Sequence, residues 1–314
     1  MYRSDIIKLG DTMKKLELFL LLILLGLVYF KQNTIVHYIA NDILFQGTKE
    51  IVNNEYHKDE DYLLVENVDD ITPKSKDDFN NIIYTILNSG MDKVSLYCSS
   101  SYENCISDFN DYTKNSEEIE VINNYVDPFN SFKNISVTTD SFNRITINVT
   151  KNYSNIEINF INKKIDEFIQ NNIEDTMSDR EKIKLFHDYI INNTKYDNDF
   201  KINTDKNTYT GHPYNAFGVL AEGKGICGGY SDVMSIYLDK LGINNYRIAS
   251  NEHIWNYVYL DNNWYHLDLT WDDPVTNTGE DVLIYDFFLI DSDTLANKKT
   301  SQHHYNKSLY LEAQ

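Results

Sequence analysis

The chain has 314 residues, 42% of them hydrophobic, which is enough for one large domain or two modest ones with buried cores. Its 28 basic and 48 acidic residues give a net charge of −20. This charge repels nucleic-acid phosphates and anionic lipid surfaces, so we expect no nucleic-acid partner.

An apolar segment at residues 16–30 predicts a membrane helix. These residues rise about 22 Å as a helix, less than a hydrocarbon core of about 30 Å, but Ile35 and Val36 can extend the buried stretch. A buried core helix is disfavoured because the segment has no polar face. Basic residues precede it, which favours a cytoplasmic N-terminus and an extracellular C-terminal body.

A cleaved signal peptide is the alternative interpretation of this segment. Cleavage requires small residues at two positions before the cut, and the nearest candidate, residues 38–40, has the bulky Tyr38 at one of them. We therefore expect a cell-membrane protein with a single-pass anchor at 16–36, preceded by a cytoplasmic N-terminus at 1–15.

The three cysteines fall into a pair and a single residue. Cys98 and Cys105 are seven positions apart, and Cys227 stands alone. In an oxidising compartment the pair can form a small-loop disulfide, whereas ordinary unpaired thiols are the alternative.

The rest of the chain divides into three predicted regions. We expect residues 37–60 to form a polar stalk, residues 61–175 an N-terminal α/β region, and residues 176–314 a C-terminal domain. Within the α/β region, apolar spacing predicts helices and strands. The helices are at 74–88 and 156–173, a strand is at 93–97, and a hairpin joins 135–139 to 145–149.

The C-terminal region predicts helices followed by an antiparallel sheet, which is an α+β fold. Ser178 and Glu181 form a capping-box pattern at the start of a helix, on whose apolar face His187 is a packed residue. A second helix begins at Cys227 and ends before Gly242. We expect strands at 246–250, 253–260 and 264–269, and we interpret 283–290 as a fully buried strand or the end of the sheet.

Cys227 has the features of a thiol nucleophile. It lies between glycines at the predicted helix start, where free N–H groups and the helix dipole favour a thiolate. Gly225, Gly228 and Gly229 permit tight backbone and leave room for a substrate. The Cys227 amide is a candidate oxyanion donor. A buried structural cysteine is the alternative.

His253 and Asp268 follow in the order expected of a base and an orienting carboxylate. An edge histidine and a carboxylate that caps a turn are the alternatives. Parity places both residues on one face of the predicted hairpin. If Asn262 and Asn263 form its turn, however, they are separated by roughly 13 Å along the strand.

The segments Gly-Ile-Cys-Gly-Gly-Tyr-Ser, His-Ile-Trp-Asn and Trp-Tyr-His-Leu-Asp-Leu-Thr-Trp-Asp-Asp together resemble the bacterial transglutaminase-like superfamily. The resemblance extends over residues 179–289. It implies a papain-like fold in which the helix that bears the nucleophile packs on an antiparallel sheet. It also implies that Cys227 is the nucleophile, His253 the general base and acid, and Asp268 the orienting carboxylate.

The resemblance implies a thiol enzyme, and the anchor predicted at 16–36, which is not part of the resemblance, would place it at the outer face of the membrane. It would act on protein or peptide amides, among them cell-wall peptides, through a Cys227 thioester that an amine or water resolves. A catalytically silent surface module that binds protein or glycan is the alternative, because the superfamily includes inert members.

Several further residues are candidates for weaker roles. Trp255 and Trp271 can wall the cleft, Asn256 can hydrogen-bond within it, and packing is the alternative for each candidate. We expect no cofactor and no metal, because Asp272 and Asp273 lack calcium-loop spacing and His303 and His304 lack a partner cluster. Three residues upstream of the nucleophile are candidates for substrate contacts: Tyr209, His212 and Tyr214.

Overall fold

The computed structural model describes residues 2–32, 35, 50–99, 101–114, 116–139, 144–198, 212–274 and 282–313. Helix α1 spans Tyr2–Phe30, and its large apolar side chains from Leu16 to Phe30 are almost all exposed. Within the described part of the chain, none of the helices combines the length and apolar character that a bilayer crossing requires. Most of the predicted stalk lies outside the described residues.

The N-terminal α/β region contains a three-stranded antiparallel sheet in the order β1-β3-β2. The predicted hairpin is confirmed, since β2 pairs with β3 and places Val137 opposite Ile147. The turn residues 140–143 lie outside the described residues. The elements of this region are α2 (Asp78–Asn88), β1 (Lys93–Tyr97), α3 (Cys105–Tyr112), α4 (Ser116–Tyr125), β2 (Phe132–Thr139), β3 (Arg144–Lys151) and α5 (Asn155–Asn172).

The C-terminal region contains a second three-stranded antiparallel sheet, in the order β6-β7-β8. Two short strands, β4 and β5, pair in parallel ahead of it. The elements are α6 (Asp179–Asn193), β4 (Lys195–Tyr196), β5 (Lys224–Gly225), α7 (Cys227–Lys240), β6 (Asn245–Ala249), β7 (Ile254–Leu260), β8 (Asn263–Leu267), α8 (Leu269–Asp272) and α9 (Ser292–Lys298).

Local sequence signals explain where two of these helices begin or end. Helix α6 starts with the predicted capping box, in which the Ser178 hydroxyl accepts from the Glu181 amide and the Glu181 carboxylate accepts from the Ser178 amide. Helix α7 ends at Lys240, and Gly242, just past the C-cap Leu241, has a φ of +69° in the left-handed region that glycine adopts without strain.

The predicted buried strand at 283–290 is wrong. This segment is a turn-rich loop with a single bridge between Ile290 and His266, and Leu289 has a positive φ of 51°. The apolar side chains of this segment are not all buried: Tyr285 is exposed, while Phe287 and Leu289 are buried. Apolar content alone therefore did not distinguish a fully buried strand from a loop in which only some of the apolar side chains are buried.

The sheet β6-β7-β8 lies between two hydrophobic clusters. Tyr246, Trp255 and Tyr257 join the cluster that contains the apolar residues of α2, α4 and β3. Val258 and Leu267 join the cluster formed with α5, α6 and α7. One face of the sheet therefore packs on the N-terminal α/β region and the other on the helix that begins at Cys227.

Candidate active site

Cys227 is the first residue of α7, and it is half-buried. The preceding residue, Ile226, has an apolar side chain and cannot cap the helix, so the first-turn amides have no side-chain acceptor from that position. Unpaired amides at a helix start attract negative charge. The sulfur therefore lies where a thiolate, or an oxyanion formed beside it, is stabilised.

The glycines after Cys227 serve backbone packing, which corrects the expectation that they leave room for a substrate. A Cβ at Gly229 would lie 2.5 Å from the Pro213 carbonyl oxygen, and one at Gly228 would lie 2.8 Å from the Tyr214 carbonyl oxygen. The Ile226 amide also donates to Pro213 O at 2.7 Å. The segment before the nucleophile is thus pressed against the first turn of α7.

The turn between β7 and β8 resolves the separation expected between His253 and Asp268. Leu260 pairs with Asn263, so the turn is Asp261–Asn262, with φ values of 50° and 62° that are typical of a type I′ hairpin. Continued one step past β8, this register places Asp268 level with Trp255 and two residues from His253. Such diagonal neighbours are within reach of long side chains.

His253 is buried and joins the other two residues. Its Nε2 lies 2.6 Å from Asp268 Oδ2, and its ring also interacts with the Cys227 thiol. Because Nε2 is engaged with the carboxylate, Nδ1 is the nitrogen available to the sulfur. The structure therefore brings the three predicted residues together, while their catalytic roles stay a prediction.

The electrostatics of the group favour an imidazolium beside a carboxylate. Burial lowers the pKa of His253, but the charge and hydrogen bond of Asp268, with a smaller influence of Cys227, outweigh it and raise the pKa to about 10. Burial raises the pKa of Asp268, and the His253 and His303 side chains outweigh this and hold it well below its usual range. Asp268 is therefore an ionised acceptor.

Two residues that the sequence interpretation did not assign to the site interact with it, His303 by direct contact and Tyr196 through charge. His303 Nε2 lies 2.8 Å from Asp268 Oδ2, so the expectation that His303 lacks a partner cluster is wrong. Tyr196, in β4, has its pKa raised by burial and then by the negative charges of Cys227 and Asp268. Neither residue carries a local motif, and only the fold brings them to the site.

A buried hydrogen-bond chain orients the indole of Trp255. Trp255 Nε1 donates to His266 Nδ1 at 3.0 Å, and His266 Nε2 contacts Ser292 Oγ at 3.1 Å. Burial, with the nearby His303, lowers the pKa of His266 to about 3, which keeps its Nδ1 an acceptor. Trp255 stacks on His253 with a centroid distance of 5.6 Å and an interplanar angle of 18°. The Trp255 indole therefore covers one face of the His253 ring.

The other residues that were candidates for weaker roles in the site make contacts of different kinds. Asn256 Nδ2 donates to Ser231 O at 2.9 Å, which holds α7 against β7. Trp271 packs on His303 and donates to Gln302 Oε1 at 3.2 Å. His212 is bound to Glu222 at 2.9 Å, and Tyr214 contributes the carbonyl that packs on Gly228. Tyr209 lies outside the described residues.

Metal coordination is the other chemistry available to this cluster. The ligand atoms of His253, Asp268 and His303 lie within 4.8 Å of one another. The nitrogen–oxygen distances of 2.6 and 2.8 Å are hydrogen-bond lengths. A zinc ion bound about 2 Å from each atom would push the ligands further apart. The geometry therefore fits a hydrogen-bonded relay better than a metal centre.

Comparison with known proteins places this site in a family. Residues 166–269 match the model of the transglutaminase-like superfamily. A solved structure described as "Crystal structure of a TGase" is 20% identical over 45% of this chain and 44% of that chain, with a TM-score of 0.30. The match thus spans less than half of that chain. No curated protein sequence matches this one. The chain carries a transglutaminase-like domain, and that domain contains Cys227, His253 and Asp268.

Proposed function

We propose that this protein is a thiol enzyme that cleaves carboxamides of proteins or peptides through a thioester on Cys227. The observation that carries the proposal is the buried contact between His253 and Asp268, with the Cys227 thiol on the same imidazole. A base that is oriented by a carboxylate and lies beside its nucleophile is the arrangement that acyl transfer requires.

The first half of the reaction forms the thioester. The Cys227 sulfur attacks the carboxamide carbon, so a C–S bond forms and the carbonyl becomes an oxyanion beside the first-turn amides of α7. The oxyanion then collapses, the C–N bond breaks, and the His253 imidazolium gives its proton to the departing nitrogen. Ammonia or an amine leaves, and the acyl group stays on the sulfur.

The second half regenerates the enzyme. Water or a primary amine attacks the thioester carbon, and His253 accepts the proton that the nucleophile loses. The new C–O or C–N bond forms, the C–S bond breaks, and the sulfur leaves as a thiolate that the re-formed imidazolium stabilises. Asp268 stays ionised throughout and holds the ring in the tautomer that both steps use.

A paired turnover assay tests this proposal and separates transfer from hydrolysis. The full chain is incubated with a glutamine-containing protein and a fluorescent primary amine, and both amine incorporation and ammonia release are measured. We expect one or both in the wild type and neither in Cys227→Ala. Repeating the assay with a cell-wall peptide tests that substrate class. Absence of both products from the wild type would instead favour a catalytically silent binding module, and equal product from wild type and Cys227→Ala would exclude Cys227 as the nucleophile.

The proposal includes a location at the outer face of the cell membrane. Its support is the exposed apolar surface of α1 from Leu16 to Phe30 and the Cys98–Cys105 disulfide, a bond typical of oxidising compartments. We expect the full chain to stay in the membrane fraction after alkaline carbonate extraction, and its body to be digested by protease added to intact cells. A variant without residues 1–36 serves as the control. Recovery of the full chain in the soluble fraction would refute the anchor.

A further inference from the structure

His303 shares one oxygen atom with the imidazole of the proposed base. His303 Nε2 and His253 Nε2 lie 2.8 and 2.6 Å from Asp268 Oδ2, while Oδ1 accepts from the amides of Thr270 and Trp271 at 3.0 and 3.2 Å. The carboxylate is thus held by four donors. Because an ionised carboxylate can only accept, both imidazoles point an N–H at Oδ2.

Thr300 is a suitable partner for the tautomer of His303 that this arrangement requires. The Thr300 hydroxyl lies 2.6 Å from His303 Nδ1, and the Nε2–H tautomer leaves Nδ1 free to accept the hydroxyl proton. The His303 ring also stacks on Phe287 at 5.0 Å with an interplanar angle of 9°. The ring therefore has a single orientation in which its N–H reaches Asp268.

The burial of the site makes the hydrogen bond from His303 important for the charge of Asp268. Asp268 is 2% exposed and His303 is 5% exposed, and the indoles of Trp255 and Trp271 lie 4.8 and 5.1 Å from the His303 ring. In an aromatic enclosure of this kind, an ionised carboxylate that loses a donor finds no water to replace it. A donor at Oδ2 therefore contributes to keeping Asp268 charged and oriented.

We infer that His303 is a positioning residue for the thiol chemistry, and that its Nε2–H holds the carboxylate that orients His253. The inference rests on the proposed function of Cys227, His253 and Asp268. The His303 nitrogens lie within hydrogen-bond distance of Asp268 and Thr300, and its ring packs edge-to-face on the His253 ring at 5.2 Å. The second histidine turns the three-residue site into a chain from Thr300 through His303, Asp268 and His253 to Cys227.

The pH dependence of the site depends on every titratable group near Asp268. His253 and His303 bond the carboxylate directly. His266, Asp272 and Tyr196, on β8, α8 and β4, interact with its charge at longer range, and Cys227 acts through His253. Burial raises the pKa of Asp268 while His253 and then His303 lower it, so loss of the His303 donor raises it. The acidic limb of the reaction then moves to higher pH.

The test uses two His303 variants and two further variants in the full chain. His303→Phe keeps the ring volume but removes the donor, whereas His303→Gln places an amide N–H near the position of Nε2. Thr300→Val removes the hydroxyl that contacts His303 Nδ1. His304→Gln is the matched control, because His304 is adjacent but exposed. Turnover and the rate of Cys227 alkylation by iodoacetamide are measured from pH 5 to 9, and thermal unfolding shows that each variant is folded.

In His303→Phe we expect kcat to fall about tenfold or more with KM within about twofold, since a hydrogen bond to a charged group is lost. Because the acidic limb set by Asp268 lies below the measured range in the wild type, its upward shift in His303→Phe appears as turnover at pH 5 that falls further below the pH 7 value than in the wild type. His303→Gln recovers most of the loss, Thr300→Val shows a smaller shift of the same sign, and His304→Gln matches the wild type.

Two results would overturn the inference, and both differ from failure of the proposed function. Profiles of His303→Phe and Thr300→Val that coincide with the wild type would remove His303 from the site. A loss that His303→Gln does not recover would make the histidine a packing residue only. Should His303→Phe fail to fold, Thr300→Val and His303→Gln decide the question in the same way. Failure of the proposed function appears earlier, as a wild type in which Cys227 is not alkylated selectively.

Discussion

Asp268 accepts hydrogen bonds from two imidazoles and two backbone amides, and this fixes what the neighbouring His253 can do. The carboxylate charge overcomes the burial that would otherwise lower the pKa of His253. At neutral pH the ring is therefore an imidazolium that can stabilise a thiolate and later give up its proton. The chemistry proposed for Cys227 depends on this one charge.

Asp268→Asn tests that dependence. The amide keeps the shape of the side chain but removes its charge, so we expect kcat to fall about 100-fold or more. Without the charge that raises it, the pKa of His253 falls from about 10 toward the value that burial favours. The basic limb of kcat/KM against pH should therefore move down by more than about one unit. A basic limb that stays in place would show that Asp268 does not set the charge of His253.

Helix α7 is held from several sides, which positions its first residue. The Arg247 guanidinium on β6 contacts Asp232 on α7, and it also donates to Asn123 O at 2.8 Å. Tyr153 donates to the same Asp232 carboxylate at 2.5 Å. Burial raises the pKa of Asp232 although Arg247 and Tyr153 oppose it. This ion pair therefore connects the helix with the sheet and with the N-terminal α/β region.

Removal of one partner from this buried pair should be more harmful than removal of both. Arg247→Met leaves an uncompensated carboxylate, and we expect the free energy of unfolding to fall by about 3 kcal/mol. In the double variant Arg247→Met with Asp232→Leu, at least half of this loss should be recovered. Denaturant titrations of the two variants and the wild type measure both values. Equal losses would show that the pair is not energetically coupled.

The first turn of α7 also depends on a glycine. In Gly229→Ala the new methyl group would lie 2.5 Å from the Pro213 carbonyl oxygen, so the upstream segment and Cys227 must separate. We expect the free energy of unfolding to fall by about 1–3 kcal/mol and turnover to fall as well. Gly26→Ala in α1 is the matched control, since a Cβ there meets nothing within 4 Å. An active and stable Gly229→Ala would refute this packing.

Some of these elements could be predicted from the sequence and others could not, for physical reasons. The capping box at Ser178 and the glycine at 242 are local signals, and the helices that they delimit were predicted correctly. Helices α3 and α4 were missed because both are short and contain few apolar residues, so neither shows a clear helical pattern. His303 was missed because its partner is 35 residues away and no motif joins them. The turn at Asp261–Asn262 shows that a one-residue difference in register decides which side chains meet.

At the scale of the molecule, the two regions on either side of residue 175 share a core. Tyr125 stacks on Tyr246 at 4.5 Å, and Tyr62 packs on the same ring at 5.4 Å. The Tyr125 hydroxyl donates to Leu309 O at 2.8 Å. One hydrophobic cluster therefore contains residues of the N-terminal α/β region and of the sheet that carries His253. The boundary at residue 175 stays a prediction.

This shared core makes the dependence of the regions on each other testable. A fragment of residues 176–314 would expose the face of the sheet formed by Tyr246, Trp255 and Tyr257. We expect it to lack a cooperative thermal transition, whereas residues 50–314 should unfold cooperatively. Calorimetry and near-UV circular dichroism distinguish the two. A fragment 176–314 that unfolds cooperatively would show that the C-terminal region is an independent domain.

The reactivity of Cys227 tests the central claim most directly. The second-order rate of carboxamidomethylation by iodoacetamide at pH 7 is measured for the wild type and for His253→Gln, with mass spectrometry to identify the labelled residue. The account predicts selective labelling of Cys227 in the wild type and a rate at least about tenfold lower in His253→Gln, because the imidazolium stabilises the thiolate. Equal rates in the two proteins would contradict it, since Cys227 and His253 would then not act together.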